Sequence, residues 1–263
     1  MKRVVPGILM ALAWGGLLFF AGPRLFWLVV VIGAWIGLGE YQRMTLPDLQ
    51  GLMAVLVRAA AMLPVLCAMS GSAGAVLGGA FAAFFLLILQ VFACYGRLDD
   101  VLGFLGRAAL GILYVGMCAA HIVLVRNLPE GIAWLAVLTG ITIGSDTGAY
   151  YAGRRFGRAK LCPQISPGKT VAGAVGGLAA GTLVAGLVAA LLPSGPGVLQ
   201  ACVLGFVLVP VGIVGDLAES IIKRATGTKD SGTILAGHGG LLDRIDSLLL
   251  TAPVLYYLLQ GAF

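Results

Sequence analysis

Residues 73–95 read AGAVLGGAFAAFFLLILQVFACY, an unbroken apolar run without a single charged side chain. A helix needs about 20 such residues to cross the hydrocarbon core of a bilayer. This run is long enough, and it is not alone. Working outward from it, the same criterion marks nine spans, at 4–22, 25–41, 51–69, 73–95, 101–125, 131–152, 171–192, 197–217 and 246–262. Whether the helix at 197–217 continues into 218–225 is left open by the pattern. The expected fold class is all-α, a polytopic transmembrane helical bundle with its N-terminus in the cytoplasm.

The composition agrees. Of 263 residues, 60% are hydrophobic and 11% charged, against about 25% charged in a soluble domain. Forty glycines suit helices that approach closely in lipid. The net charge of +6 belongs to loops facing an anionic leaflet or to phosphate-holding sites, and no nucleic-acid partner is expected. The cysteines, Cys67, Cys94, Cys118, Cys162 and Cys202, have no C-x-x-C spacing, so reduced thiols are expected.

Charge distribution sets the orientation. With alternating spans and a cytoplasmic N-terminus, 13 of the 17 lysines and arginines fall inside. Arg24 and Arg126 fall outside, and Arg58 and Arg107 lie within spans, to snorkel or to pair with an acid such as Asp99 or Asp100. The polar segments 153–170 and 218–245 then share the cytoplasmic side. Two parts are expected: N-terminal helices over 1–128, as scaffold or as a groove for lipid tails, and C-terminal helices over 129–263 carrying the site.

Residues 216–246 hold five acids, four bases and a histidine in an otherwise apolar chain. Ions beside a bilayer are costly unless they pair, bind metal or reach water. On a helix Glu219, Ser220 and Lys223 follow Asp216 on one face, and Asp243 and Asp246 share another. Neighbouring carboxylates repel unless a cation lies between them, and magnesium suits oxygen ligands and substrate phosphate. Ion pairing with Lys223, Arg224 and Arg244 is the alternative. Glu40, Asp48, Asp99, Asp100 and Glu130 are expected to be solvated. The glycines around His238 permit a backbone that points N–H groups at an anion.

A second polar stretch starts at Asp146 and ends in Ser166-Pro-Gly-Lys169-Thr170. Gly168 is expected to turn the chain so that Lys169 and Thr170 meet a phosphate at the next helix start. Gly-Lys-Thr also ends a P-loop, but the upstream glycine that a P-loop requires is absent and no strand is expected before it, so a P-loop is rejected.

The run Ser220-x-Ile-Lys-Arg-x4-Lys229-Asp230-x-Gly232, followed by His238-Gly-Gly-Leu-x-Asp243-Arg-Ile-Asp246, resembles the signature of the phosphatidate cytidylyltransferases. Asp146-Thr-Gly-Ala-Tyr and Ser166-Pro-Gly-Lys-Thr are similar to that family's second block. The chain departs from the family at Ala236, commonly Pro, and at Ala172, commonly Glu.

The resemblance implies condensation of CTP with phosphatidate to CDP-diacylglycerol and pyrophosphate, with Mg2+ and with the identity of any second cation left open. It assigns Asp216, Asp243 and Asp246 to the metal, and Lys223, Arg224, Lys229 and Arg244 to phosphates. Ser166, Lys169 and Thr170 fall to the triphosphate or the lipid headgroup, with Ser220, His238 and Asp146 as further binding candidates. A phosphate nucleophile is already ionised and needs no strong base. The alternatives are a CTP-dependent polyprenol or lipid kinase and a cation-coupled transporter. Gly173, Gly177 and Gly181 leave helix packing within one chain or across a homodimer open. The expected location is integral in a membrane, the inner membrane if bacterial.

Overall fold

The structure is a computed structural model that describes residues 4–192, 195–232 and 239–261, with side chains from Met10 onward. It is almost entirely helical. Residues 233–238 lie outside the described residues, and with them His238 and the departure at Ala236.

The chain divides into two compact units, Met1–Asn127 with Thr226–Arg244, and Leu128–Ala225 with Ile245–Phe263.

The first unit contains α1 (Val4–Phe20), α2 (Pro23–Thr45), α3 (Gly51–Ala61), α4 (Leu63–Cys67), α5 (Ala73–Cys94), α6 (Val101–Gly111) and α7 (Cys118–Arg126). The apolar run at 51–69 is broken between α3 and α4 because Pro64 sits in the first turn of α4, where its missing N–H costs nothing. A short π-helical stretch, Ile112–Met117, joins α6 to α7. Local capping starts α5 and α6. The Ser72 hydroxyl accepts from Ala75 N–H at 3.3 Å, and Asp100 accepts from Gly103 N–H at 2.8 Å.

Three arginines of the apolar helices find partners in this unit. Arg107 pairs with Asp100 at 3.1 Å, one of the two expected acids. Arg58 has a neutral partner: its Nε donates to Gln42 at 3.1 Å and its guanidinium lies over the Trp35 ring. Arg126 donates to the Ala21 carbonyl at 3.1 Å, just past the end of α1. Phe26, Val65, Ala83 and Val115 are fully buried in the core.

The second unit contains α8 (Gly131–Phe156), β1 (Lys160–Cys162), β2 (Ser166–Thr170), α9 (Val171–Leu191) and α10 (Val198–Ala225). It also holds most of α11 (Leu242–Gly261). Helices α8 and α9 pack backbone to backbone. A Cβ on Gly148 would lie 2.4 Å from the Ala180 Cβ, and one on Gly176 would lie 2.2 Å from the Ala152 Cβ. Such contact needs glycine, and it is the membrane-helix packing that small residues allow. Gly173, Gly177 and Gly181 serve the same interface, each facing a backbone carbonyl of α8. Their place is therefore within one chain.

Each expected span overlaps a helix, and seven helices among the described residues are long and apolar enough to cross a membrane. Helix α1 is shorter than these, and α11 carries Asp243, Arg244 and Asp246 in its opening turns. Helix α10 runs on to Ala225, which answers the question left open at 217.

One expectation of pure helix needs correcting. Strands β1 and β2 form an antiparallel hairpin, with Lys160 opposite Thr170 and Cys162 opposite Ser166. Gly168 therefore lies in a strand that leads into α9, where a turn was expected. The hairpin does not restore a P-loop, because Gly168-Lys-Thr170 sits inside the strand rather than in a loop beyond it.

Candidate active site

In the second unit a cavity of about 460 Å³ opens among α8, the hairpin, α9, α10 and α11. Its apolar wall includes Ile141, Leu208, Val209 and Ile213. Its polar groups include Asp146, Tyr150, Arg154, Lys160, Lys169, Asp216 and Ser247. An apolar chamber with one charged end suits an amphiphile carrying phosphate.

Helix α10 brings Asp216 to this end. Just before it, Gly215 lets α10 touch α11, since a Cβ there would lie 2.9 Å from the Asp246 carbonyl oxygen. The charges of Asp216 and Asp146 both act repulsively on Asp246, while Lys223 acts in the opposite sense. Asp246 Oδ1 accepts the Ser247 N–H at 2.6 Å. Three acids from α8, α10 and α11 thus share one electrostatic neighbourhood.

Lys169 is the base in contact with one of them. Its ammonium lies 2.8 Å from Asp216 Oδ2 and donates to the Ile213 carbonyl at 3.4 Å. The strand geometry of β2 explains this reach, because it carries Lys169 alongside the cavity rather than out of a turn. Thr170 has a structural duty: its hydroxyl caps α9 by accepting from Gly173 N–H at 3.0 Å. Ser166 begins β2 opposite Cys162.

Other expected site residues are held elsewhere. Ser220 donates to Asp216 Oδ1 at 3.5 Å, a long contact. Lys223 pairs with Glu219, which is fully buried one turn before it on α10. Arg224 Nε donates to the Ile165 carbonyl at 3.3 Å and so ties the end of α10 to the hairpin. Lys229 and Arg244 are exposed in the first unit.

Asp243 lies in the first unit within a dense hydrogen-bond set. Its Oδ2 accepts from Ser231 N–H at 2.9 Å, from the Ser231 hydroxyl at 2.9 Å and from Gly240 N–H at 2.8 Å. Gly239 adopts φ +79, which a side chain would strain, and a Cβ there would lie 2.6 Å from Asp243 Oδ2. The glycines of the signature thus admit this carboxylate.

Glu40 corrects the sequence reading. It was expected to be solvated, yet it is fully buried on α2. Its Oε1 accepts from Leu241 N–H at 3.0 Å and its Oε2 from Leu242 N–H at 2.8 Å. Nothing local announces this, because the partners are 201 and 202 residues away.

A hard divalent cation fits the donor set of the second unit. Asp146, Asp216 and Asp246 supply carboxylate oxygens there, with Lys169 paired to Asp216 and Lys223 already matched by Glu219. Among the described residues no three His, Cys, Asp or Glu side chains form a cage. Magnesium commonly takes only one or two carboxylates and completes its shell with water and phosphate.

Comparison with known proteins finds relatives along the chain. The chain is 43% identical over 152 residues to a protein of Brucella suis named phosphatidate cytidylyltransferase, an alignment that covers 57% of this chain and 56% of the relative. The chain thus spans just over half the length of that relative. A Bacillus subtilis protein of the same name is 40% identical over 182 residues, 68% of this chain and 66% of its own. One from Pseudomonas aeruginosa is 34% identical over 270 residues, 99% of this chain and 97% of its own. The model of the Cytidylyltransferase family matches residues 1–262, and with acids, bases and signature glycines in the places just described, the chain belongs to that family.

Proposed function

We propose that the protein transfers the cytidylyl group of CTP to phosphatidate, giving CDP-diacylglycerol and pyrophosphate in phospholipid biosynthesis. The observation that carries this reading is the cavity of the second unit, apolar along one wall and lined at its polar end by Asp146, Asp216, Lys169, Arg154 and Lys160. Family membership and the names of the relatives support the same reaction.

Magnesium is the expected cofactor, held by Asp216 and Asp246 with Asp243 as a third candidate, and a second cation is left open. When bound, it would supply charge neutralisation for two anionic substrates and their leaving group. The remaining work falls to the chain. Lys169 keeps one positive charge beside Asp216 and has the reach to meet a phosphate oxygen. Arg154 and Lys160 line the same cavity and suit the other phosphates. Lys223, Arg224, Lys229, Arg244, Ser166, Ser220 and His238 keep a proposed part in substrate binding. The reacting lipid phosphate is an anion already, so no proton has to be removed before it attacks the α-phosphorus of CTP and pyrophosphate departs. Fixed donors around that phosphorus would stabilise the charge that develops there.

We also propose nine spans, a cytoplasmic N-terminus and a cytoplasmic site, supported by the 13 bases that this arrangement places inside. A homodimer is proposed as well.

The test is direct. Purified protein in detergent receives CTP and phosphatidate, with and without magnesium, and pyrophosphate is measured. Magnesium-dependent pyrophosphate release that requires phosphatidate supports the reading. Release of CDP instead would make the protein a kinase.

A further inference from the structure

We propose that Glu40 is a positioning residue that fixes the start of α11 and thereby orients Asp243, an inference that rests on the proposed cytidylyl transfer. Glu40 sits near the C-terminal end of α2, buried to 0% exposure. A buried carboxylate is costly unless its oxygens are satisfied. Both are. They accept from Leu241 and Leu242 N–H, two of the donors that the first turn of a helix leaves without an intrahelical partner. A capping residue normally precedes its own helix. Here the cap arrives from another helix, and the negative charge also suits the positive end of α11.

Ser231 connects this cap to Asp243. Its hydroxyl lies 3.3 Å from Glu40 Oε2 and 2.9 Å from Asp243 Oδ2, and accepts the Asp243 N–H at 3.3 Å. The single hydroxyl proton can serve either carboxylate. Two glycines make room. A Cβ on Gly232 or on Gly240 would lie 2.6 Å from a Glu40 carboxylate oxygen. Gly232 and Gly240, both in the signature run, are thus the walls of the Glu40 berth. Glu40, Ser231, Gly240 and Asp243 form one unit, and disturbing the first moves the last.

The experiment uses the full chain with Glu40→Gln, Ser231→Ala and the double variant. Glutamine keeps the shape but turns an N–H2 group toward backbone N–H donors. Turnover, the KM for each substrate and the magnesium concentration for half activation are measured on monodisperse protein. Glu40→Gln is expected to lower turnover about 10- to 100-fold and raise the magnesium requirement, as changes behind a metal ligand commonly do. The KM for phosphatidate should stay within about threefold, and the double variant should lose little more than the worse single, because the two act through one network. Wild-type turnover and magnesium requirement in Glu40→Gln, or losses that multiply, would overturn the proposal. If Glu40→Gln does not fold, Ser231→Ala decides, and an unchanged magnesium requirement there would overturn it. If the wild-type protein makes no CDP-diacylglycerol, the function has failed separately. Amide exchange at Leu241 and Leu242 then tests the cap alone: faster exchange in the variant supports it, and unchanged exchange refutes it.

Discussion

Replacing Lys169 by methionine removes the only base in salt-bridge contact with Asp216 among the described residues. At 2.8 Å the gross attraction is about 6 kcal/mol at an effective dielectric constant of about 20. Most of that does not survive as net stability. The two side chains are 22% and 37% exposed, so water screens the pair and desolvation opposes it. A net loss of about 1–2 kcal/mol in folding stability is expected. Turnover should suffer more. Removing a charge that faces the reacting phosphate typically costs about 10²- to 10³-fold, or about 3–4 kcal/mol. The assay follows label from CTP into lipid with purified Lys169→Met, alongside thermal unfolding of the same preparation. A preparation that unfolds near the wild-type temperature yet turns over at least 100-fold more slowly supports the assignment. Activity within about threefold of wild type would refute it, as would a loss fully accounted for by unfolding.

Further expectations follow from the same geometry. Asp216→Asn and Asp246→Asn should each reduce turnover at least about 100-fold while the protein stays folded, with the remaining activity needing more magnesium in a metal titration. Gly176→Val should collapse the α8–α9 contact, since even a Cβ would lie 2.2 Å from Ala152; the check is the yield of monodisperse protein, which should fall sharply. Thr170→Ala should lose the cap on α9 and about 1 kcal/mol of stability, whereas Thr170→Ser should keep most of it, as read by thermal unfolding. Cys162, partly exposed in β1, should react with a membrane-impermeant maleimide only when the cytoplasmic face is accessible, as in inverted vesicles.

The spans were legible because a bilayer imposes a length and a polarity that a single run such as 73–95 displays by itself. The candidate acids stood out for the related reason that charge is rare in such a chain. Asp146, Asp216 and Asp246 do share one neighbourhood. The pairing of these groups was harder to read. Lys169 and Asp216 are 47 positions apart, and no periodicity relates a strand residue to a helix residue. The hairpin was hidden because Ser166-Pro-Gly-Lys-Thr170 has a composition that strands usually avoid. Glu40 was hidden most completely. A lone acid at the end of an apolar run looks solvated, and only the fold shows that its oxygens cap a helix some 200 residues later.

The transfer itself can be read from one pair of labels. CTP labelled at the α-phosphorus and CTP labelled at the γ-phosphorus are each incubated with the protein, magnesium and phosphatidate, and the lipid is extracted. Cytidylyl transfer predicts that the α label enters the lipid and the γ label leaves as pyrophosphate. Entry of the γ label, or of neither, would contradict it.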